Sequence, residues 1–426
     1  MQRTRIATIL TILIATIAGA GKAQASYNVK SYGARGDGSD ATTAIRNAIA
    51  AAAGGGGGEI MFPAGNYGVS GTIAITSAAI TLIGEGPDAS VITASATTGD
   101  VVSFGPSPGF TPCGGIRGLS IKSSVTRTAG AALTIDGCQD GEFQNFKLAT
   151  RGGDGIHISP TGHLAAALHF SDFRIASTGA FNGILVQGPY SDRYFRSGWI
   201  NGDGTAGSRG INIQNSNGDW YTDIETVGSE FGVLINPGPG QGVIWGHMMN
   251  VLADQNTSQG FRITSSGNGF IWGMTFTAPW ASGNGNTSTN GRGFYIGSGA
   301  GLLIENPRVM NNGGHGIEIA GGTGVKILGG FISANSQQRG GSFDAINVNS
   351  GASSFQVIGA TTGGIGTVPQ RYGINIGAGS DNFLVQGDDF TGANTAVQVT
   401  PGASSTRRFL GNLPYNLALE KASSPP

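Results

Sequence analysis

Gly155-Ile156-His157-Ile158, Gly183-Ile184-Leu185-Val186 and Gly210-Ile211-Asn212-Ile213 are three copies of one pattern, Gly-apolar-x-apolar. The pattern continues from Gly232, Gly260, Gly293, Gly316, Ala345, Gly373 and Ala396, at intervals of 28, 27, 22, 28, 33, 23, 29, 28 and 23 residues. Each copy reads as a short alternating strand with two apolar side chains inward and one variable residue outward. Between these marks lies a second pattern, apolar-x-(Asn/Asp/Gly)-x-x-apolar. It is seen at Phe143-Gln144-Asn145, Phe170-Ser171-Asp172, Tyr221-Thr222-Asp223, Ile244-Trp245-Gly246, Ile271-Trp272-Gly273, Ile304-Glu305-Asn306 and Val385-Gln386-Gly387. Its third position, Ser197 apart, takes residues that tolerate a left-handed backbone, which marks a sharp bend between two strands. Asp172 and Asp223 are therefore expected to be turn residues rather than catalytic acids.

Short strands repeating at this period cannot bury a face singly, but stacked as parallel coils they share one core. Helix-pair solenoids are excluded because a 3.6-residue period is missing, and a leucine-rich horseshoe because leucine is scarce. The expected fold is all-β: a single-stranded right-handed parallel β-helix, a solenoid, with an N-terminal capping helix. Coils ~4.8 Å apart would make a dozen of them a rod of roughly 55–60 Å. The open ends need covering. Ser39 or Asp40 can cap a helix that runs to Ala53, with Ile45, Ala48, Ile49, Ala52 and Ala53 on one face. Gly54 to Gly58 end it, and strands follow at Glu59–Phe62 and Tyr67–Val69. At the other end, Arg407 to Tyr415 reads as irregular and as a cover for the last coil. The expected division is 1–25 signal peptide, 26–112 cap and first coils, 113–400 β-helix and 401–426 C-terminal cap or tail.

Composition agrees with a solenoid. Glycine accounts for 76 of 426 residues, more than twice the usual ~7%. No Gly-X-Y period exists, so collagen is excluded, and the 39% apolar content excludes disorder. With 24 basic against 25 acidic residues, a basic nucleic-acid binder is excluded. Arg3 and Arg5, the apolar run Ile6 to Ala20 and the small-x-small Ala23-Gln24-Ala25 read as a secretory signal cut after Ala25; a membrane anchor is the alternative. The expected location is periplasmic or extracellular, with a mature net charge of −4 after loss of Arg3, Arg5 and Lys22. The two cysteines, Cys113 and Cys138, are one repeat apart; in an exported protein they either pair or remain buried thiols. Neither has the close partner of a zinc site, and no metal site is expected. Asp37-Gly38-Ser39-Asp40 lacks the further ligands of a calcium loop.

Tyr27 to Asp40, Thr43-Ala44-Ile45, Phe62-Pro63-Ala64-Gly65-Asn66-Tyr67 and Ile83-Gly84-Glu85-Gly86 stand in the order of landmarks seen elsewhere. This stretch resembles the opening of the pectate-lyase-like superfamily, in its rhamnogalacturonase/epimerase-type branch. The ending Gly411-Asn412-Leu413-Pro414-Tyr415-Asn416 is similar to the close of many tailspike-like proteins. The resemblance implies a right-handed β-helix acting on polysaccharide, as glycoside hydrolase, lyase, epimerase or non-catalytic surface protein, and it brings a homotrimer into view. A polygalacturonase-type catalytic set does not carry over. Gly314-His315-Gly316 precedes Asp388-Asp389, the reverse of that family's order, and no Asn-Thr-Asp occurs.

Equivalent positions in successive coils stack in columns. The second residue of the bend pattern gives Gln144, Ser171, Arg196, Thr222, Trp245, Trp272, Glu305 and Leu328. Two residues past the bend lie Lys147, Arg174, Trp199, Glu225, Met248, Thr275 and Arg308. Aromatic faces bind the C–H faces of sugar rings, so Trp199, Trp245, Trp272 and Trp280, with Glu225, are candidate substrate-binding residues. The alternatives are an aromatic stack that stabilises the sheet and a subunit interface. Asp203, Glu230 and Asp254 fall in loops of consecutive coils, with Trp280 in a similar place on the next. Paired carboxyl groups are what glycosidic hydrolysis requires. Glu230 and Asp254 are the candidate acid and base or nucleophile, and Asp203 would modulate their protonation; three solvated loop acids are the alternative. Arg262, Tyr295 and Glu318 share the outward column of the glycine-led strands, and Arg292, His315 and Asp344 precede that strand in successive coils. Arg262, Arg292, Tyr295 and His315 would suit a polysaccharide lyase, in which a base takes the C5 proton and a cation stabilises the enolate. A surface salt-bridge ladder is the alternative. The expected function is a secreted enzyme cleaving a polysaccharide, by hydrolysis in the first reading, with no cofactor, or Ca²⁺ under the lyase reading. Elimination and non-catalytic glycan binding are the other readings. Neither nucleic acid nor membrane is an expected partner.

Overall fold

The computed structural model describes residues 25–76, 79–105, 112–190, 192–285, 291–363, 368–400 and 406–414. The expected signal segment, apart from Ala25, and Tyr415-Asn416 lie outside them. The described chain forms a parallel β-solenoid made of a 21-stranded sheet, a 13-stranded sheet and a small sheet of three strands. One circuit shows the path. Trp220–Val227 lies in the long sheet, Phe231–Ile235 in the second sheet and Gly242–Ile244 in the small sheet. The chain then re-enters the long sheet at His247–Asp254, in parallel register on Trp220–Val227.

Every glycine-led repeat forms a rung of the second sheet, and all ten stack in one register. Close coil-to-coil approach explains the glycine. A Cβ on Gly183 would stand 2.5 Å from the carbonyl oxygen of Gly210 and 2.4 Å from the Ile200 side chain inside the rod. The apolar alternation fills the interior. Phe143, Phe170, Phe195 and Tyr221 are buried on successive coils, with ring centroids 4.9, 4.5 and 4.9 Å apart. Aromatic stacking of this kind adds to the burial itself.

The bends in the long sheet are left-handed, as the pattern requires. Asn145, Asp172, Ser197, Asp223 and Asn306 have φ of 48°, 54°, 53°, 53° and 48°. Asp172 and Asp223 are thus turn residues. Two coils were misregistered by the sequence pattern. In them the bend residues are Asn250 and Ala278, with φ of 51° and 49°. Ile244-Trp245-Gly246 and Ile271-Trp272-Gly273 instead span the corner between the small and long sheets. The column of Gln144 therefore continues through Thr222, Met249, Thr277 and Glu305. The column of Trp199 continues through Glu225, Leu252, Trp280 and Arg308, so Met248 and Thr275 leave it. Ala278 hid the true bend, because a Cβ residue in that conformation is rare.

The helix Thr42–Gly54 buries Ile45, Ala48, Ile49 and Ala52 against Ser26–Asn28, Gly58–Phe62 and Ile73–Ile75. Asp40 serves its first turn by accepting the N–H of Thr42 at 2.9 Å. Arg407–Leu410, expected to be irregular, pairs in parallel with Phe383–Gln386 and adds a rung to the long sheet. Cys113 and Cys138 form a disulfide between adjacent coils, with Cα atoms 5.4 Å apart.

Candidate functional site

The outer face of the second sheet carries the densest group of reactive side chains. Strand register stacks Arg262, Tyr295 and Glu318 in one outward column. Three residues upstream on those strands, Gln259 pairs with Arg292, and the same register carries that row on to His315 and Asp344. Both columns are as the repeat predicts. The ring of Tyr295 lies between two cations: the guanidinium carbons of Arg262 and Arg292 are 5.0 and 5.3 Å from its centroid. Arg262 also lies 5.4 Å from the Phe231 ring centroid and has no carboxylate partner among the described residues; its Nη1 donates to Gln259 at 3.3 Å. Arg292 pairs with the buried Glu318, whose other oxygen accepts Asn349 Nδ2 at 3.0 Å. Glu318 thereby fixes the guanidinium that faces Tyr295.

Asp344 is fully buried and takes both nitrogens of the Arg371 fork at 2.8 Å. Burial raises its pKa above the usual carboxylate value, and Arg371 pulls it back. His315 accepts the backbone N–H of Asp344 at Nδ1, 3.0 Å away. Burial, then the charges of Arg292 and Arg371, bring its pKa down to about 3. His315 is therefore neutral at ordinary pH. With Nδ1 accepting, the ring proton sits on Nε2, so the imidazole offers a donor and not a base.

Arg262, Arg292 and Tyr295 line an open groove of about 600 Å³ together with Arg209, Glu230, Phe231, Gln259 and four other residues. Glu230 is its one carboxylate, and it accepts the N–H of Gly207. The other two loop acids lie elsewhere. Asp203 accepts N–H groups from Gly179 at 3.0 Å and Thr205 at 3.1 Å, closing a loop. Asp254 ends its long-sheet strand in register with Val227 and Ser282. Trp280 lies in the column of Trp199, Glu225 and Arg308, not with the acids, and Arg308 is 5.8 Å over its ring. Trp245 and Trp272 do stand on adjacent coils, 6.0 Å apart and more than half exposed.

Sequence reading missed Trp220. It belongs to an exposed ladder of His169, Tyr194, Trp220 and His247, with centroids 4.9, 6.4 and 4.1 Å apart. All four stand three residues before a left-handed bend, so counting back from Asp172, Ser197, Asp223 and Asn250 finds them. Among the described residues no group of three or more His, Cys, Asp and Glu is placed to hold a metal, and no helix is long and apolar enough to cross a membrane.

The fold defines the class: the described chain is an all-β parallel β-solenoid with one helix near its N-terminus. Residues 26–188 match the family model described as rhamnogalacturonase A/epimerase, pectate lyase-like. No curated protein matches the sequence. Among solved structures, the A-module of a mannuronan C-5 epimerase from Azotobacter vinelandii is 17% identical with a TM-score of 0.58, over 92% of this chain and 100% of that one. A DFA-IIIase from Arthrobacter chlorophenolicus A6 is 12% identical with a TM-score of 0.53, over 89% and 99%. Gene product 12 of bacteriophage phi29 is 14% identical with a TM-score of 0.53, over 90% and 56%. At these identities the likeness is one of fold.

Proposed function

We propose that this protein acts on a polysaccharide bearing carboxylate groups, and that it removes the proton beside the carboxylate to break the chain by β-elimination. The observation that carries this reading is the setting of Tyr295 between Arg262 and Arg292 in an open groove lined by a single carboxylate. Two-carboxylate hydrolysis would need a second acid across the bond. Two enzymes that share the fold, the mannuronan C-5 epimerase and the DFA-IIIase, are named for carbohydrates, which supports the broader assignment.

In this reading Arg262 receives the uronate carboxylate and lowers the energy of the enolate that forms from it. Arg292, held by Glu318, adds a second positive charge 5.3 Å from the centre of the Tyr295 ring. Tyr295 is the base, and its oxygen takes the C5 proton. The electron pair forms the C4–C5 double bond, the O4–C4 bond breaks, and the departing oxygen is protonated by the Tyr295 hydroxyl so formed. The groove fits calcium poorly: Glu230 is its one carboxylate and already accepts the N–H of Gly207, and the nearby acids Glu318 and Asp344 are taken by Arg292 and Arg371.

Digests of alginate and polygalacturonate should gain the ultraviolet absorbance of an unsaturated uronate, with product masses that include no added water. Tyr295→Phe should lower kcat by about 10²-fold or more without unfolding the protein. Products that each gain a water sink the elimination step. They favour a second reading, hydrolysis with Glu230 and Asp254 as the pair and Asp203 setting their charge. Its support is that the three acids belong to consecutive coils, with Glu230 in the groove. Glu230→Gln and Asp254→Asn would then abolish turnover, and unchanged rates would remove that reading.

A further inference from the structure

Two sets of rings on the rod, with the exposed Trp199 outside both, differ in what their faces touch. In the ladder of His169, Tyr194, Trp220 and His247 the planes of successive rings lie within 17° of each other. Tyr194 and Trp220 have neighbours on both faces, so this ladder presents ring edges to water. Stacked rings of this kind cover one another and stabilise the sheet.

Trp245, Trp272 and Phe270 are seated differently, at the small sheet. A Cβ on Gly273 would stand 2.8 Å from Cδ1 of Trp245, one on Gly242 would stand 2.4 Å from Cζ of Phe270, and one on Gly301 would stand 3.9 Å from Cδ1 of Trp272. Each ring thus occupies the space over a glycine of the adjoining coil. The two indoles are 6.0 Å apart and tilted by 36°, unlike the near-parallel rings of the ladder. The three side chains remain 53%, 54% and 51% exposed, the largest such values among tryptophan and phenylalanine here. Phe270 and Trp272 project from one strand, and Trp245 follows the strand paired to it. The three rings therefore stand on adjoining coils at one corner of the rod.

We propose that Trp245, Trp272 and Phe270 form a stacking platform for the apolar faces of sugar rings in a polysaccharide chain, separate from the groove of Tyr295. Aromatic side chains carry about 150–250 Å² each, so three half-exposed rings offer roughly 300 Å². A stable subunit interface takes about 800 Å² per partner, whereas a few sugar rings match the platform. The ligand class rests on the polysaccharide reading above. The platform would hold polymer beside the reaction groove.

Native electrophoresis in gels containing sodium alginate, polygalacturonate or hydroxyethyl cellulose tests this. The full chain should be retarded in at least one gel. The double variant Trp245→Ala, Trp272→Ala should weaken that retardation about fivefold or more in apparent Kd, with unchanged thermal midpoint and sedimentation mass. Tyr295→Phe should be retarded like the parent. Undiminished retardation of the double variant overturns the platform. So does a fall in its sedimentation mass, which would assign the rings to a subunit interface. Loss of retardation in Tyr295→Phe alone rejects the platform and leaves the groove reading standing. Absence of retardation of the parent in every gel rejects both the platform and the polysaccharide reading.

Discussion

Asp388 occupies a place where an adjacent coil has asparagine. Its Oδ1 accepts the N–H of Ala360 at 2.7 Å, and its own N–H donates to Asn412 Oδ1 at 3.0 Å. Asn412 completes its position by donating Nδ2 to Val385 O, but Asp388 Oδ2 is buried without a partner. Burial pushes the Asp388 pKa up to about 7, against the pull of the backbone N–H groups of Ala360 and Gln386. The folded chain thus keeps a proton that the unfolded chain releases near 3.8. The sign follows: this group's contribution is present at acid pH and is lost as pH rises toward 7. Asp388→Asn should therefore raise the thermal midpoint over the parent by an amount that grows between pH 4 and pH 7, read by calorimetry. A constant difference would show that the carboxyl does not titrate there. His315 acts in the opposite sense. Its folded pKa of about 3 lies below the ordinary histidine value of 6.5. Stability from this residue is lost as pH falls from 6.5 toward 3, and His315→Gln should flatten that acid limb.

At the scale of the element, the corner leading into the second sheet is held by a ladder of buried amides. The side-chain oxygen of Asn284 accepts both the N–H and the Nδ2 of Asn256, at 3.0 and 2.9 Å. Its own Nδ2 reaches Ala253 O and Asn312 Oδ1, both at 2.9 Å. Asn312 and Asn335 repeat the arrangement. Asn284→Ala would leave buried donors and acceptors unpaired on two coils, and should lower unfolding free energy by on the order of 3 kcal/mol in denaturant titration. The disulfide joins neighbouring rungs in another way. Closing a loop of 25 residues restricts the unfolded chain, and replacing both cysteines by serine should remove about 3 kcal/mol. The glycine-led rungs were legible in the sequence because one residue type is demanded there by the backbone of the next coil. The bends were legible only where Asn, Asp, Ser or Gly stands. At Ala278 the local signal vanished and the neighbouring corner of Ile271-Trp272-Gly273 matched the pattern in its place; at Asn250 the signal was present, but the corner Ile244-Trp245-Gly246 matched the same pattern earlier in the chain. Trp245 and Trp272 were thus assigned to the wrong column although their adjacency was right.

Over the whole molecule, each coil touches mainly the coils beside it, so stability accumulates from nearest neighbours. Amide hydrogen exchange should be slowest in central rungs such as Phe231–Ile235 and Gln259–Ile263. It should be fastest at Arg407–Leu410, which pairs with one strand only. Uniform protection along the rod would contradict this. The fold was readable at this scale because it is periodic. The site was readable in part. Columns within the second sheet followed from the repeat, so Arg262, Tyr295 and Glu318 came out correctly aligned. Glu230, Asp203 and Asp254 lie at or beyond a corner, where loop lengths differ from coil to coil. Register stops there, and sequence spacing cannot say which acids face one groove.

The glycine seats of the second sheet carry a rule about length. Since each one fits the carbonyl of its counterpart a full turn away, rungs can be gained or lost only with complete circuits, while the loops between them vary in length. A variant lacking one circuit would dock its neighbours again in the same alignment. Loss of a single residue inside a rung would turn core side chains out to water. The rod is thus a stack of interchangeable units whose number is free and whose phase is not.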